Sequence, residues 1–249
     1  MQTPIPVPPA EPRQRWRLIY GRRADAPQLA QRDQLAAWEN ALIASDLPVV
    51  GLDLSPSRPR IVFAAPLSVG IPAEQELADL FLTERRPVSA VREALLAHVP
   101  AGHVVHGLHD IWLGEPALPG QVIGAHYRSR VRIDPSEADQ RVLADLAAVA
   151  ARLMGAPQLP RTREKGGRDV PYDLRPLLAG IEVWAAHDPA PDGAFAEVRI
   201  RVRFDPERGV GRPEEVLAAL GEGLGARLSL IALVRERLVL ATDDVARRR

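Results

Sequence analysis

Arg13-Gln14-Arg15-Trp16-Arg17-Leu18-Ile19-Tyr20 is the stretch from which the fold is read. Trp16, Leu18 and Tyr20 alternate with Arg13, Arg15 and Arg17, and a two-residue repeat of apolar and charged side chains marks a half-buried strand. Downstream, residues 28–45 place Leu35, Trp38, Leu42 and Ile43 at helical spacing. Pro48 opens an extended run to Leu54, Ser55-Pro56-Ser57 makes a turn, and residues 58–67 read as a third strand. Helical segments are expected over 73–82 and 88–98, then a strand over 102–111. The order β-α-β-β-α-β is the split βαβ of ferredoxin-like domains.

Residues 115–120 look like a linker, and the same order then starts again. A strand is expected over 122–133, and a helix over 135–154 with Pro135 near its start and Gly155 just past its end. Residues 157–168 read as a loop. Extended runs at 181–186 and 195–204 flank a turn at 188–193, a helix at 213–220 is ended by Gly221, and the last strand region is 227–241. The expectation is an α+β chain of two tandem ferredoxin-like domains with antiparallel sheets, at 13–114 and 121–249, behind a disordered proline-rich tail at 1–12.

The chain has 249 residues, 46% hydrophobic and 26% charged, enough apolar material for a sizeable core. It contains no cysteine, which excludes disulfides, thiolate catalysis, zinc–thiolate sites and a self-contained iron–sulfur cluster. No apolar run approaches a membrane span. Pro4, Pro6, Pro8, Pro9 and Pro12 stand where an export signal would need a basic stretch and an apolar core, so a cytoplasmic protein without membrane attachment is expected. Charge balances at 32 basic and 32 acidic residues, yet Lys165 is the only lysine. A GC-rich genome or a hot habitat produces that bias, and so does selection for planar, bidentate anion recognition.

The positions of the arginines carry the functional signal. Arg13, Arg15 and Arg17 share one strand face, as do Arg128, Arg130 and Arg132, and again Arg199, Arg201 and Arg203 with Glu197; Arg58 and Arg60 continue the theme. Summed over the expected elements, strand windows carry +11 and helix windows −8. If helices cover one face of each sheet, the open faces are basic, which suits phosphate-rich ligands, RNA above all. The bland alternative is a solvated sheet face whose arginines pair with neighbouring acids; a surface for a protein partner is a third. Base-stacking aromatics are missing from these faces, since Tyr127 and Trp16 fall on the opposite sides, so backbone contact is favoured over base reading.

A second signal lies at residues 161–169. Arg161, Arg163, Lys165 and Arg168 surround Gly166-Gly167, whose freedom to adopt positive φ lets a backbone approach a ligand. The spacing matches neither the P-loop nor the dinucleotide fingerprint. His98, His103, His106 and His109 stand close in sequence, and on a helix His103, His106 and His109 would share a face for a metal; Gly102, Val104, Val105 and Gly107 argue for a strand that splits them, so no metal and no cofactor are expected. No nucleophile elbow is present and no catalytic residue is assigned. His126 and His187 are candidates by type for metal-independent acid–base cleavage of RNA.

The residues also carry a family resemblance. Trp16-Arg17-Leu18-Ile19-Tyr20, the helix at 29–42, Leu47-Pro48, and residues 58–70 through Glu76-Leu77 resemble the radical-SAM-linked family of unknown function. Arg163-Glu164-Lys165-Gly166-Gly167, Asp173-Leu174-Arg175-Pro176 and the stretch from Arg212 to Leu217 look like that family's second half, which adds Arg175 to the candidate anion ligands. Where the family has Ser-His-Leu-Asp, this chain has Ala30-Gln31-Arg32-Asp33, and Pro56-Ser57-Arg58-Pro59 replaces a histidine-containing turn. The resemblance implies an accessory subunit working with a radical SAM protein. The absence of cysteine agrees, because the thiolate-held cluster must then sit elsewhere. Two expectations follow: a non-catalytic substrate-binding protein presenting RNA to such an enzyme, or a metal-independent endoribonuclease or RNA-modifying enzyme.

Overall fold

The computed structural model describes residues 10–133, 142–186, 194–225 and 228–243. Most of the proline-rich tail, the expected helix start at Pro135, His187 and the turn at 188–193 lie outside the described residues. The chain divides into two compact units, residues 1–122 and 123–249.

The first unit runs β1 (Gln14–Arg22), α1 (Gln31–Ala44), β2 (Ile61–Phe63), β3 (Ala73–Leu82), α2 (Val88–His98), β4 (His103–Ile111) and the short α3 (Leu118–Gln121). All its pairings are antiparallel, in the order β4-β1-β3-β2. The β-α-β-β-α-β order is present, but two of the strands are not those read from the sequence. Residues 73–82 were expected as a helix because Ala, Glu, Gln and Leu are strong helix formers. They form β3 instead, with Ala78, Leu80 and Leu82 turned to the core and Leu77, Asp79 and Phe81 to the other face. Pairing along almost the whole of β1 outweighs intrinsic propensity here.

The expected strands at 48–54 and 58–67 shrink to an isolated bridge, Val49 to Leu82, and the three residues of β2. Between them the chain folds on itself. The Arg58 and Arg60 amides donate to the Gly51 and Val50 carbonyls at 2.8 and 2.7 Å. Gly51 takes φ +91°, and a Cβ there would stand 2.1 Å from the Arg58 carbonyl oxygen, so only glycine closes this loop. Trp16, Leu18 and Tyr20 of β1 then pack with Leu80 and Leu82 of β3, Trp38 and Leu42 of α1, and Val91 and Leu95 of α2. Within the expected linker at 115–120 the chain is ordered: α3 occupies 118–121, and Leu118 is fully buried.

The second unit runs β5 (Val122–Ile133), α4 (Val142–Gly155), β6 (Pro160–Lys165), β7 (Arg168–Asp173), β8 (Leu178–Ala185), β9 (Ala194–Asp205), β10 (Gly209–Val210), α5 (Pro213–Leu224) and β11 (Leu228–Leu240). In its sheet β11 lies beside β5, β5 beside β9, and both β8 and β10 pair with β9. The loop expected at 157–168 is half of a separate hairpin, β6–β7. Helix α5 does not stop at Gly221 but at Gly225, whose φ of +70° makes the left-handed cap. Glycine inside that helix has a packing reason: a Cβ on Gly223 would meet Val149 of α4 at 2.6 Å. Tyr127, Val131 and Ile133 of β5, Val198, Ile200 and Val202 of β9, Leu146 and Val149 of α4, and Val216 and Leu220 of α5 are buried. The protein is α+β, built on mostly antiparallel sheet.

Candidate functional site

Alternation places Arg13, Arg15 and Arg17 on the face of β1 away from α1 and α2, as expected, but that face is not an open basic surface. Asp79, opposite Arg17 on β3, is completely buried and accepts from both neighbouring guanidiniums. Arg15 reaches it through Nε at 3.0 Å and Nη2 at 2.5 Å, and Arg17 through Nε at 2.9 Å and Nη2 at 3.1 Å. Arg15 also donates to the carbonyls of Glu115 and Pro116, ahead of α3, and is 3% exposed. Arg60 stacks on Phe81 at 4.0 Å from the ring centroid. Only Arg13, Arg58 and Arg60 of this group are exposed. The carboxylates of 73–82 therefore belong to the strands, which lowers the strand excess to +8 and the helix deficit to −5.

The second sheet is different. On the face opposite α4 and α5, β5 carries His126, Arg128, Arg130 and Arg132, and β9 carries Phe195, Glu197, Arg199, Arg201 and Arg203. Cross-strand register sets His126 against Arg201, Arg128 against Arg199, Arg130 against Glu197 and Arg132 against Phe195. β8 adds Glu182 opposite Arg199 and Trp184 opposite Glu197. Glu236 of β11 binds Arg128 at 3.2 Å and Arg199 at 2.9 Å, and Glu182 binds Arg201 at 2.9 Å. Six arginines thus face three glutamates, and the arginines in these pairs stay more than one-third exposed. Arg132 is exposed and makes no ion pair among the described residues.

This face also holds two aromatic rings that the sequence reading did not place on it. Arg199 lies 5.4 Å from the Trp184 ring centroid and Arg130 lies 5.2 Å from that of Phe195, while Glu197 fixes the Trp184 indole N–H at 3.1 Å. Phe195 shares the parity of Arg199 and Arg201, so counting by two from those arginines finds it. Trp184 enters from another strand, through a pairing no local pattern announces. Tyr127 and Trp16 are buried on the opposite faces, as expected.

At one end of the face glycines open a cleft of about 500 Å³, lined by Gly124, His126, Arg201, Arg203 and Asp205 among others. A Cβ on Gly124 would meet the Val202 carbonyl oxygen at 2.4 Å, and one on Gly180 the Arg201 guanidinium at 2.6 Å. Arg203 is braced by the carbonyls of Leu178 at 2.9 Å and Pro176 at 3.2 Å.

The glycine pair at the tip of β6–β7 serves the turn itself. Gly166 and Gly167 take φ of +61° and +74°, as a two-residue hairpin with Lys165 opposite Arg168 requires, and nothing stands within 4 Å of either. Arg168 is exposed. Arg163 stacks over Tyr172 at 5.2 Å. Arg175 is a structural brace, donating to the carbonyls of Met154 at 2.6 Å and Leu178 at 3.1 Å.

The histidines do not gather. His103 is buried among Tyr20 and Trp38, with ring centroids at 5.9 and 5.6 Å, and desolvation holds it below the ordinary histidine range. His98, His106 and His109 are exposed, and no metal-binding group of His, Asp and Glu occurs among the described residues. No helix among them is long and apolar enough to cross a membrane.

Residues 15–209 match the model of a family described as an uncharacterized protein conserved in bacteria (DUF2344). No curated protein matches the chain. Among solved structures, a Cbf5-Nop10-Gar1 complex aligns over 88% of this chain and 48% of its own at 12% identity and a TM-score of 0.47. The archaeal box H/ACA sRNP Nop10-Cbf5 complex aligns over 87% and 46% at 11% identity and a TM-score of 0.41. The chain thus spans about half the length of these two. An unknown protein from Galdieria sulphuraria aligns at 14% identity over 87% and 96%, with a TM-score of 0.23.

Proposed function

The chain belongs to that bacterial family, and from this premise we propose that it is a non-catalytic accessory protein that binds RNA through the arginine face of its second unit and presents it to a radical SAM enzyme. The observation that carries the RNA part is the composition of that face. Six arginines, two of them against Trp184 and Phe195, combine phosphate-neutralising cations with rings on which unstacked bases can lie. In this reading both units are ferredoxin-like βαββαβ domains, since the second repeats the order of the first once the β6–β7 hairpin and β10 are set aside. The partnership rests on the family resemblance of the sequence and on the lack of cysteine, which leaves cluster chemistry outside these 249 residues.

Filter binding of single-stranded RNA at two salt concentrations tests the first part. Affinity should fall as salt rises, and Arg132→Gln should flatten the dependence by about 0.7 in the log–log slope, one phosphate contact on a single strand. Quenching of Trp184 fluorescence should accompany binding and be lost in Trp184→Leu. Affinity that is absent or indifferent to salt removes RNA from the reading. Failure of the chain to co-purify with a co-expressed radical SAM protein from the same genome removes the partnership.

The second reading, metal-independent RNA cleavage, is favoured by one observation: His126 lines the cleft with Arg201 and Arg203. It requires cleavage by the purified chain that His126→Ala abolishes.

A further inference from the structure

Away from the sheet face, Arg163 stands out for lacking a carboxylate. The arginines at the centre of the second sheet's face share Glu236 and Glu182, and Arg161 pairs with Glu222 at 2.7 Å. Arg163 makes no ion pair or hydrogen bond among the described residues, and its Nε is buried without a partner. Its guanidinium rests against the Tyr172 ring, whose own hydroxyl is likewise buried and has no hydrogen-bond partner among the described residues. A half-buried guanidinium with unused donors is costly unless something accepts from it.

The backbone beside it is shaped to admit that group. Gly209, at φ +99°, lies where a Cβ would come within 2.9 Å of Arg163 Nη1. Any other residue would strain the turn and displace the guanidinium. Arg163 and Gly209 line a pocket of about 440 Å³ together with Arg212, an exposed residue that also makes no ion pair among the described residues. Glu164 and Glu207 stand on the rim, exposed. Two guanidiniums offer several N–H donors in fixed forks, the arrangement that suits a tetrahedral oxyanion. The two rim carboxylates oppose a run of phosphates, so the pocket suits one compact group, unlike the sheet face.

We propose that the pocket between the β6–β7 hairpin and the turn from β9 into β10 binds a single phosphate group, inorganic or as a monoester, held by Arg163 and Arg212. This site is independent of the RNA reading and goes beyond it. The test is titration of the full chain with inorganic phosphate, following the Arg163 Nε–H signal in a proton–nitrogen correlation spectrum, assigned through Arg163→Gln. A saturable shift is expected, with acetate at equal concentration giving none. Arg163→Gln and Gly209→Ala should each weaken phosphate binding at least tenfold, measured by calorimetry, while RNA affinity stays unchanged. Arg212→Gln changes an exposed side chain and should fold normally, so it carries the test if the other variants do not fold; a fivefold loss or more is expected. The proposal is overturned by a shift that does not saturate, by acetate competing equally with phosphate, or by Arg212→Gln binding phosphate as the parent does. If phosphate binding falls and RNA binding falls with it, the pocket is part of the RNA surface and the separate site is refuted.

Discussion

Replacing Asp79 by Asn should destabilise the first unit severely without changing its shape. The carboxylate is fully buried and accepts four hydrogen bonds from two arginines. Asn keeps the volume but removes the charge, leaving two cations without a counter-ion. Arg17, 12% exposed at its side chain, has a route to water. Arg15, at 4%, has none, because the Glu115 and Pro116 carbonyls hold it in place. The cost should therefore come mostly from Arg15, and breaking one side of a buried pair costs about 3–5 kcal/mol. At roughly 2–4 °C per kcal/mol for a chain of this size, the thermal midpoint should fall by about 6–20 °C. Urea denaturation of parent and variant measures the difference directly. The double variant Arg15→Met, Asp79→Leu should recover most of the loss, since a well-packed apolar replacement of a buried pair is often neutral or better. A loss below about 1 kcal/mol in Asp79→Asn, the level of a solvated pair, would refute the reasoning.

Three further outcomes follow from particular residues. Burial keeps His103 below its unfolded range, so the folded state resists its protonation; stability should be complete above about pH 6.5 and decline as pH drops beneath that value, and His103→Gln should flatten this part of a stability-versus-pH curve. Gly51→Ala combines a left-handed backbone with a collision against the Arg58 carbonyl and should cost about 2 kcal/mol or more in urea denaturation. Tyr172→Phe removes a buried hydroxyl that has no partner among the described residues; it should leave the unfolding free energy from urea denaturation unchanged or raise it by up to about 1 kcal/mol, and a marked loss would show that the hydroxyl is in use.

How far the sequence could be read depended on whether the signal was local. Strands with strict alternation, β1, β5 and β9, were legible almost to their ends, because their charged and apolar faces repeat every two residues. β3 was not, since Ala73-Glu74-Gln75-Glu76-Leu77 has a helix former's composition and its strand state comes from pairing with β1, some sixty residues away. The arginine rows were equally visible; their fates were not. Asp79 ties down Arg15 and Arg17 of the first row because β3 is a strand, so misreading that one element made a buried ion-pair centre look like a ligand surface. On the second sheet the parity rule gave the arginines correctly, and the partners that temper them, Glu182, Trp184 and Glu236, arrive from β8 and β11 by register alone. The glycines showed the same division. Gly166 and Gly167 announced a turn, whereas the need for Gly180, which clears room for the Arg201 side chain, and for Gly209 appears only once those neighbours are in place.

Glu236 holds Arg128 and Arg199 together, and one acidic side chain tethering two basic ones has an uneven effect. While it is present, the two guanidiniums still leave a surplus of positive charge over the one carboxylate. A single codon change at that position would remove the one negative charge the two share, so the attraction of the whole surface for polyanions can be turned up by losing an acid, without adding any base. The strength of the grip is set from β11, the strand on which the arginine rows do not sit.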